Sequence, residues 1–148
     1  MKRCFLREYC YNKIKSTKEV MKRLKWLILP VIVFGLTFCL FRFVLIIGYV
    51  PSASMEPTLK EKSYILGVRI HGDLKVGDII IFEHEGSTMV KRIAAVGGET
   101  IEADGKIYTV PKGRLFVLGD NKQNSFDSRY WEEPFVDEAN VIAKVIGK

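Results

Sequence analysis

The sequence predicts a mainly β protein in which a single N-terminal transmembrane helix precedes an antiparallel β-sheet or barrel. Two observations predict this class. One is an apolar segment that begins directly after a basic tail. The other is a series of short β-branched runs from residue 43 onward, separated by turn signals and without a sustained period of 3.6 residues. A length of 148 residues allows one domain with at most a small appendage.

The apolar segment has the length of a short membrane span. Residues 26–41 contain no charged side chain and, at about 1.5 Å per residue, cover roughly 24 Å. Arg42 follows and can reach the lipid headgroups, and Trp26 suits an interfacial anchor. The pattern predicts one transmembrane helix over residues 26–42, with the lipid bilayer as a partner. A cleaved signal peptide is the alternative, but no small-x-small cleavage site follows the segment.

The basic residues are concentrated before this helix. Residues 1–25 carry nine lysines and arginines against two glutamates, a net charge of +7, whereas the whole chain has +6. Because the excess charge belongs to a tail and not to a globular face, we expect no nucleic acid partner. By the positive-inside rule, residues 1–25 form a cytoplasmic tail and residues 43–148 form an extracytoplasmic domain.

The β-rich part is divided by recognisable turns. Asp104 and Gly105 lie between two short runs and match a type I′ hairpin turn. Further turns are expected over residues 83–86 and 111–114. The expected strands cover residues 43–50, 64–70, 78–84, 88–96, 99–103, 106–110, 115–119 and 141–146.

The composition restricts the chemistry to oxygen and nitrogen side chains. The three cysteines have no paired spacing and form no cluster with histidine, so neither a disulfide framework nor a metal site is expected. His71 lies in a turn and His84 at a strand end, and both are interpreted as solvated loop residues. A Ser-His-Asp triad is therefore not favoured.

Residues 51–59, PSASMEPTL, form the first of three segments that suggest catalysis. Two prolines and three hydroxyl residues make a stiff turn that can present a hydroxyl in a fixed orientation. A serine in such a turn is often only a turn residue, because a serine nucleophile also needs a base.

Residues 89–96, MVKRIAAV, offer a lysine as that base. Strand alternation places Met89, Lys91 and Ile93 on one face and Arg92 on the other. Arginine does not deprotonate, whereas a lysine that enters an apolar core loses its proton more easily. The alternative is an edge strand on which both cations face solvent.

Residues 119–129, GDNKQNSFDSR, complete the set. In an extended chain, Ser125, Asp127 and Arg129 project the same way. Asp127 and Arg129 can then form an ion pair while Ser125 hydrogen-bonds a neutral lysine amine. A polar surface loop with an incidental ion pair would have the same sequence pattern.

These three segments, in this order and together with GDIIIF at residues 77–82, resemble the signature boxes of bacterial type I signal peptidases in their short, single-span form. The resemblance covers residues 26–130. It implies a membrane-bound serine endopeptidase that cleaves signal peptides from exported preproteins with a Ser-Lys dyad and without metal or cofactor. Its substrates would be preproteins with small side chains just before the cut.

The resemblance also implies roles for individual residues. Ser54 would be the nucleophile and Lys91 the general base, and Ser52 would join the backbone N–H of Ser54 in the oxyanion hole. Ser125 would orient Lys91, with the Asp127–Arg129 pair in support. Met55 would line the substrate cleft, and the adjoining loop would be shaped by Gly119, Asp120 and Asn121. The chain departs from the family pattern at Ala95, Gly97 and Lys122.

Two other functions remain open at this point. One is a dedicated Ser-Lys peptidase that matures a single pilin-like or conjugative substrate. The other is a non-catalytic membrane-anchored β domain that binds an envelope partner. For the enzyme, we expect an apolar rim towards lipid, formed by residues 43–50 and, less directly, by Trp131 and Phe135, although residues 43–50 are equally compatible with a buried first strand.

Overall fold

A computed structural model describes residues 25–70 and 72–147 of the chain. The prediction of a cytoplasmic basic tail and the interpretation of His71 concern residues outside these ranges. The chain divides into two compact units, Met1–Leu40 and Phe41–Lys148.

An apolar helix forms the described part of the first unit and continues past Leu40 into the second. The helix spans Lys25–Val44, has a mean hydropathy of 2.4 and exposes its apolar side chains. It is thus long and apolar enough to cross a membrane. Its last turn, Leu40–Val44, is a π-helix, and the helix extends slightly beyond the predicted residues 26–42 at both ends.

The second unit confirms the predicted β class. Seven strands form one antiparallel sheet in the order β1-β2-β9-β3-β4-β7-β8, and β5 and β6 form a separate hairpin. The strands are β1 (Leu45–Tyr49), β2 (Tyr64–Val68), β3 (Ile79–His84), β4 (Ser87–Val96), β5 (Thr100–Ala103), β6 (Lys106–Thr109), β7 (Arg114–Leu118), β8 (Val136–Asp137) and β9 (Val141–Val145). Short 3₁₀ turns cover Ala53–Met55 and Glu138–Asn140.

The hairpin turns have the backbone geometry that the sequence predicts. Asp104 and Gly105 join β5 to β6 with φ values of 49° and 76°. Glu85 and Gly86 join β3 to β4 with 50° and 74°. Positive φ at both central residues is the requirement of a type I′ turn. The predicted turn at Asp104 and Gly105 is therefore confirmed.

The core packs on both sides of β3, whose residues Ile79, Ile80, Ile81 and Phe82 are all buried. Ile79 and Ile81 belong to a cluster with residues of the 50–65 region and β9. Ile80 and Phe82 belong to a second cluster, which contains Ile93 and residues of β7. Each such side chain contributes about 1.5–3 kcal/mol through burial, so β3 fixes the centre of the unit.

The neighbouring strand β4 turns a lysine towards the side of the sheet on which the second cluster lies. Lys91 and Ile93 are buried, whereas Arg92 between them is half-buried, as strand alternation predicts. Lys91 lies opposite the fully buried Ile80 of β3. The alternative from the sequence, an edge strand on which Lys91 and Arg92 both face solvent, is therefore wrong. A bulge at Ala94 follows, because Ile93 and Ala95 pair with consecutive residues of β7.

The expected apolar rim is only partly present on this unit. Phe43, Ile47 and Tyr49 are exposed, whereas Ile46 packs against the first cluster. The expectation for Trp131 was wrong, because its ring is 8% exposed and belongs to the second core cluster.

Candidate active site

The candidate nucleophile lies in the first 3₁₀ turn, Ala53–Met55. Met55 is fully buried in the first core cluster and anchors the turn. Ser54 is buried, and its Oγ accepts a hydrogen bond of 3.2 Å from the Oγ of Ser52. Ser52 has extended backbone angles and an exposed side chain. The turn therefore places two hydroxyl groups together at the edge of the core.

A chain of hydrogen bonds leads away from the candidate base. The Nζ of Lys91 donates to the Oγ of Ser125 at 3.1 Å, and the Oγ of Ser125 donates to Oδ2 of Asp127 at 2.6 Å. All three residues are buried. Since the hydroxyl of Ser125 donates its hydrogen bond to Asp127, the lone pairs of its oxygen remain free to accept a hydrogen bond from Lys91. This arrangement orients the amine.

Asp127 is a buried carboxylate with several donors around it. Arg129 donates from Nε to Oδ1 at 2.8 Å and from Nη2 to Oδ2 at 3.0 Å, and the backbone N–H of Gly119 donates to Oδ2 at 2.9 Å. Burial alone would raise the pKa of Asp127, but the hydrogen bonds from Arg129, Gly119 and Ser125 outweigh it and lower the pKa. The carboxylate therefore remains charged at neutral pH.

The surroundings of Lys91 favour its neutral form. Burial lowers the pKa of the Lys91 amine, the negative charge of Asp127 opposes this effect, and the positive charge of Arg129 adds to it. A lysine whose pKa lies below the ordinary value of about 10.4 supplies more free amine at neutral pH. Such an amine can accept a proton from an alcohol.

This pKa shift predicts a pH-dependent cost in stability. The unfolded chain binds a proton at Lys91 more tightly than the folded chain, so the free energy of unfolding rises with pH between the folded pKa and about 10.4. We expect Lys91→Met to unfold at higher denaturant concentration than wild type at pH 7, with an advantage that shrinks by up to about 1.4 kcal/mol per pH unit towards pH 10.4. Paired denaturant titrations across this range measure the difference, and a difference independent of pH would contradict the assignment.

The segment after β7 joins the nucleophile turn to the lysine. Asn121 donates from its backbone N–H to the carbonyl of Ser54 at 3.0 Å and from Nδ2 to the carbonyl of Ala53 at 3.1 Å. Gly119 packs so closely that a Cβ there would meet the hydroxyl of Ser125 and lie 2.6 Å from the Ser54 carbonyl oxygen. Residues 119–121 therefore hold both candidate groups in one arrangement.

Arg92 belongs to a network that the sequence interpretation did not assign. Its Nε and Nη2 donate to Asp120 at 2.8 and 2.6 Å, and its Nη1 donates to the carbonyl of Gly77 at 2.7 Å. Asp120 also pairs with Thr58, and the hydrogen bonds lower the pKa of Asp120 although burial alone would raise it. The pair ties the segment after β7 to β4 and to the chain before β3. The adjacency of Lys91 and Arg92 could have indicated this separate network, because strand alternation directs the two cations to opposite faces.

His84 differs from its interpretation as a solvated loop residue, which was wrong. Its ring is 9% exposed and stacks on Trp131 with 4.0 Å between centroids. The alternation of β3 places residue 84 inward, on the face of Phe82, and this pattern could have indicated the burial.

Ser54 and Lys91 open into one cleft of about 610 Å³. Its walls come from β1 and from the first half of β4, and Asn124 and Phe126 lie at one side. Among the described residues, β1 is an edge strand, and β7 pairs with β4 only from Arg92 onward. The cleft is therefore bordered by two strand edges with free backbone groups, which an extended peptide can use.

The arrangement unites a hydroxyl, an amine that tends to be neutral, and a second hydroxyl beside the first. These are the components of nucleophilic catalysis by a serine and a general base. Among the described residues, no group of three or more His, Cys, Asp or Glu side chains is placed to hold a metal ion.

Comparison with known proteins places the chain among signal peptidases. The family described as "Signal peptidase, peptidase S26" matches residues 23–109 and 103–147. The chain is 29% identical over 134 positions to a probable signal peptidase I-1 of Synechocystis sp., covering 66% of this chain and 67% of the relative. It is 25% identical over 168 positions to signal peptidase IB of Staphylococcus aureus, covering 82% and 86%.

A shorter match has higher identity. Over 39 residues the chain is 59% identical to signal peptidase I of Buchnera aphidicola. This match covers 26% of this chain and 12% of the relative. The family match extends over most of the chain, from the apolar helix to the last strand. The chain belongs to the signal peptidase family, peptidase S26.

Proposed function

We propose that this protein is a membrane-bound serine endopeptidase that removes signal peptides from exported preproteins with Ser54 as nucleophile and Lys91 as general base. The observation that carries the proposal is a buried lysine amine, held by Ser125, that lines the same cleft as a buried serine hydroxyl. Family membership supports the peptidase activity and preprotein substrates.

Acylation begins when neutral Lys91 takes the proton of Ser54 as its Oγ attacks the carbonyl carbon of the last signal-peptide residue. The oxyanion that forms accepts hydrogen bonds from the hydroxyl of Ser52 and the backbone N–H of Ser54. Lys91, now an ammonium group, protonates the departing amine. The peptide bond breaks, and the signal peptide stays on Ser54 as an ester.

Deacylation repeats the sequence with water as nucleophile. Lys91 again accepts a proton, now from water, and returns it to the Oγ of Ser54 as the tetrahedral intermediate collapses. The ester C–O bond breaks, and the signal peptide leaves as a carboxylic acid that ionises in water. Throughout, Ser125 fixes the direction of the amine, and the Asp127–Arg129 pair fixes Ser125. No step requires a metal or an organic cofactor.

The substrate binds as an extended strand. Free backbone groups at the edges of β1 and β4 pair with its main chain, and alternate small side chains enter shallow apolar pockets beside Met55. The Lys25–Val44 helix anchors the protein in the bacterial cell membrane, with residues 1–25 in the cytoplasm and the catalytic domain outside. Tethering raises the local concentration of preproteins whose own apolar segment lies in the same bilayer.

Cleavage of several unrelated preproteins by the purified full-length chain in detergent tests this function. We expect each leader to be removed at its small-residue site. Cleavage of only one pilin-like or conjugative substrate would support the dedicated alternative, and failure to cut any preprotein would support the non-catalytic binding domain.

Ser52→Ala tests the oxyanion role separately. The Oγ of Ser52 lies 3.2 Å from the Oγ of Ser54, so its loss removes one donor next to the nucleophile. We expect kcat to fall about 10²-fold with little change in KM, because the donor acts on charge that develops in the transition state. A Ser52→Thr variant, which retains the hydroxyl, should recover most of the rate. A loss confined to KM would contradict this role.

A further inference from the structure

Phe126 is an exposed aromatic side chain between two buried catalytic-site residues. It is 61% exposed, whereas Ser125 is 6% and Asp127 0% exposed. Its ring contributes to the wall of the cleft that contains Ser54 and Lys91. An aromatic ring left in water at the mouth of a cleft offers apolar area to whatever binds there.

The ring of Phe126 is held in place from two sides. It stacks on Tyr130 with 6.3 Å between centroids and an interplanar angle of 11°, and it meets Trp131 edge-on at 6.5 Å. Trp131 is itself packed against Phe82 of the central strand. A ring fixed in this way loses little entropy when a ligand packs against it.

The position of Lys91 indicates which part of a substrate passes this ring. After the first step the ammonium of Lys91 must reach the departing amine, so the residues after the cut lie on its side of the cleft. The Nζ of Lys91 is bonded to Ser125, the neighbour of Phe126. In the binding mode proposed above, the residues before the cut pair along β1 and the first half of β4, whereas Phe126 lines the same cleft outside those two strands.

We propose that Phe126 is a specificity-determining residue for the leaving chain: its ring packs against an apolar or aromatic side chain in the first two positions after the cut. This inference rests on the proposed function and adds a preference on the side of the cut that the small-residue rule does not concern.

A peptide series tests the proposal with the full-length chain in detergent. The peptides share one sequence up to the cut and carry Leu, Phe, Ala or Ser in the two positions after it. We expect wild type to prefer the Leu and Phe peptides over the Ala peptide by about tenfold in kcat/KM, the range typical of an apolar contact. Phe126→Ala should reduce this preference to within about twofold, because it slows the Leu and Phe peptides more than the Ala peptide, and Phe126→Leu should keep part of the preference.

The control is Ile107→Ala, which removes a 75% exposed apolar side chain from the β5–β6 hairpin, outside the cleft lining. It should leave the preference intact. Deacylation gives a second readout, because the leaving chain has departed by then. Its rate, measured from the acyl-enzyme, should be equal in wild type and Phe126→Ala.

Three results would overturn the inference. An equal loss on all peptides would indicate a structural role, an unchanged preference would exclude contact, and a loss seen only with membrane-bound preproteins would indicate that the ring meets lipid. If wild type cuts none of the peptides and no preprotein, the proposed function itself fails. Cleavage without a preference on the leaving side removes only the role of Phe126.

Discussion

Lys91→Arg should reduce cleavage of a preprotein by at least about 10³-fold, to near background. The substitution keeps an extended basic side chain but makes its positive charge permanent, because a guanidinium does not release its proton at any usable pH. The proposed mechanism needs a free amine beside the hydroxyl of Ser54, and a positioned general base contributes about 10²–10⁴-fold. Loss of activity with retained charge therefore separates base catalysis from simple electrostatic attraction.

The matched control for this experiment is Lys144→Arg. Lys144 lies on β9, is partly exposed and forms a 2.8 Å ion pair with Asp78 that arginine can preserve. It should keep wild-type activity. Cleavage by Lys91→Arg within tenfold of wild type would exclude Lys91 as the base, provided that thermal unfolding shows both variants to be folded.

Gly119→Ala should lower kcat by about 10³-fold although it adds a single methyl group. The added Cβ would meet the hydroxyl of Ser125 and lie 2.6 Å from the carbonyl oxygen of Ser54, a distance that real Cβ atoms do not adopt. The nucleophile turn and the partner of Lys91 must therefore move apart. A displacement of about 1 Å at one reacting group typically costs ~10²-fold, and here both groups are displaced. Overpacking of this kind also costs about 1–3 kcal/mol of stability.

Gly72→Ala is the control for this substitution, because a Cβ at that position meets nothing within 4 Å. Initial rates at saturating preprotein, together with unfolding free energies of both variants, distinguish displacement of the site from loss of the fold. Near-normal kcat in a folded Gly119→Ala protein would show that residues 119–121 do not set the geometry of the site.

Local patterns predicted the strands and turns because their causes are local. Alternation and β-branched residues placed most of the expected strands within about two residues of the observed ones, and the Asp104–Gly105 pair specified its turn. The two-residue strand β8 was missed, because two residues are too few to show a period. The order of strands in the sheet was also beyond reach, since partners such as β3 and β9 are far apart in sequence.

The residues of the candidate site could be proposed from the sequence, but the hydrogen bonds that connect its separate segments could not. Alternation gave the inward direction of Lys91, and the spacing of Ser125, Asp127 and Arg129 gave their mutual contacts. The reason assumed for those contacts was incomplete, since the segment is irregular and Asp127 is also fixed by the backbone of Gly119. The side-chain hydrogen bond from Asn121 to Ala53 joins residues 68 positions apart, and no periodicity reveals such a contact.

The long connection from residue 119 to residue 135 contains no helix or strand, yet it carries the partner of the Lys91 amine and a donor to the backbone carbonyl of Ser54. Hydrogen bonds to the side chain of Asp127, the buried Ser128 and the packing of Trp131 hold it in place, but it lacks the continuous backbone ladder that holds the sheet. Segments of this kind open at a lower free energy than the global transition. On heating, activity should consequently be lost at a lower temperature than that at which the sheet unfolds. Between the two temperatures the protein should be inactive while its circular dichroism spectrum is still that of the native protein.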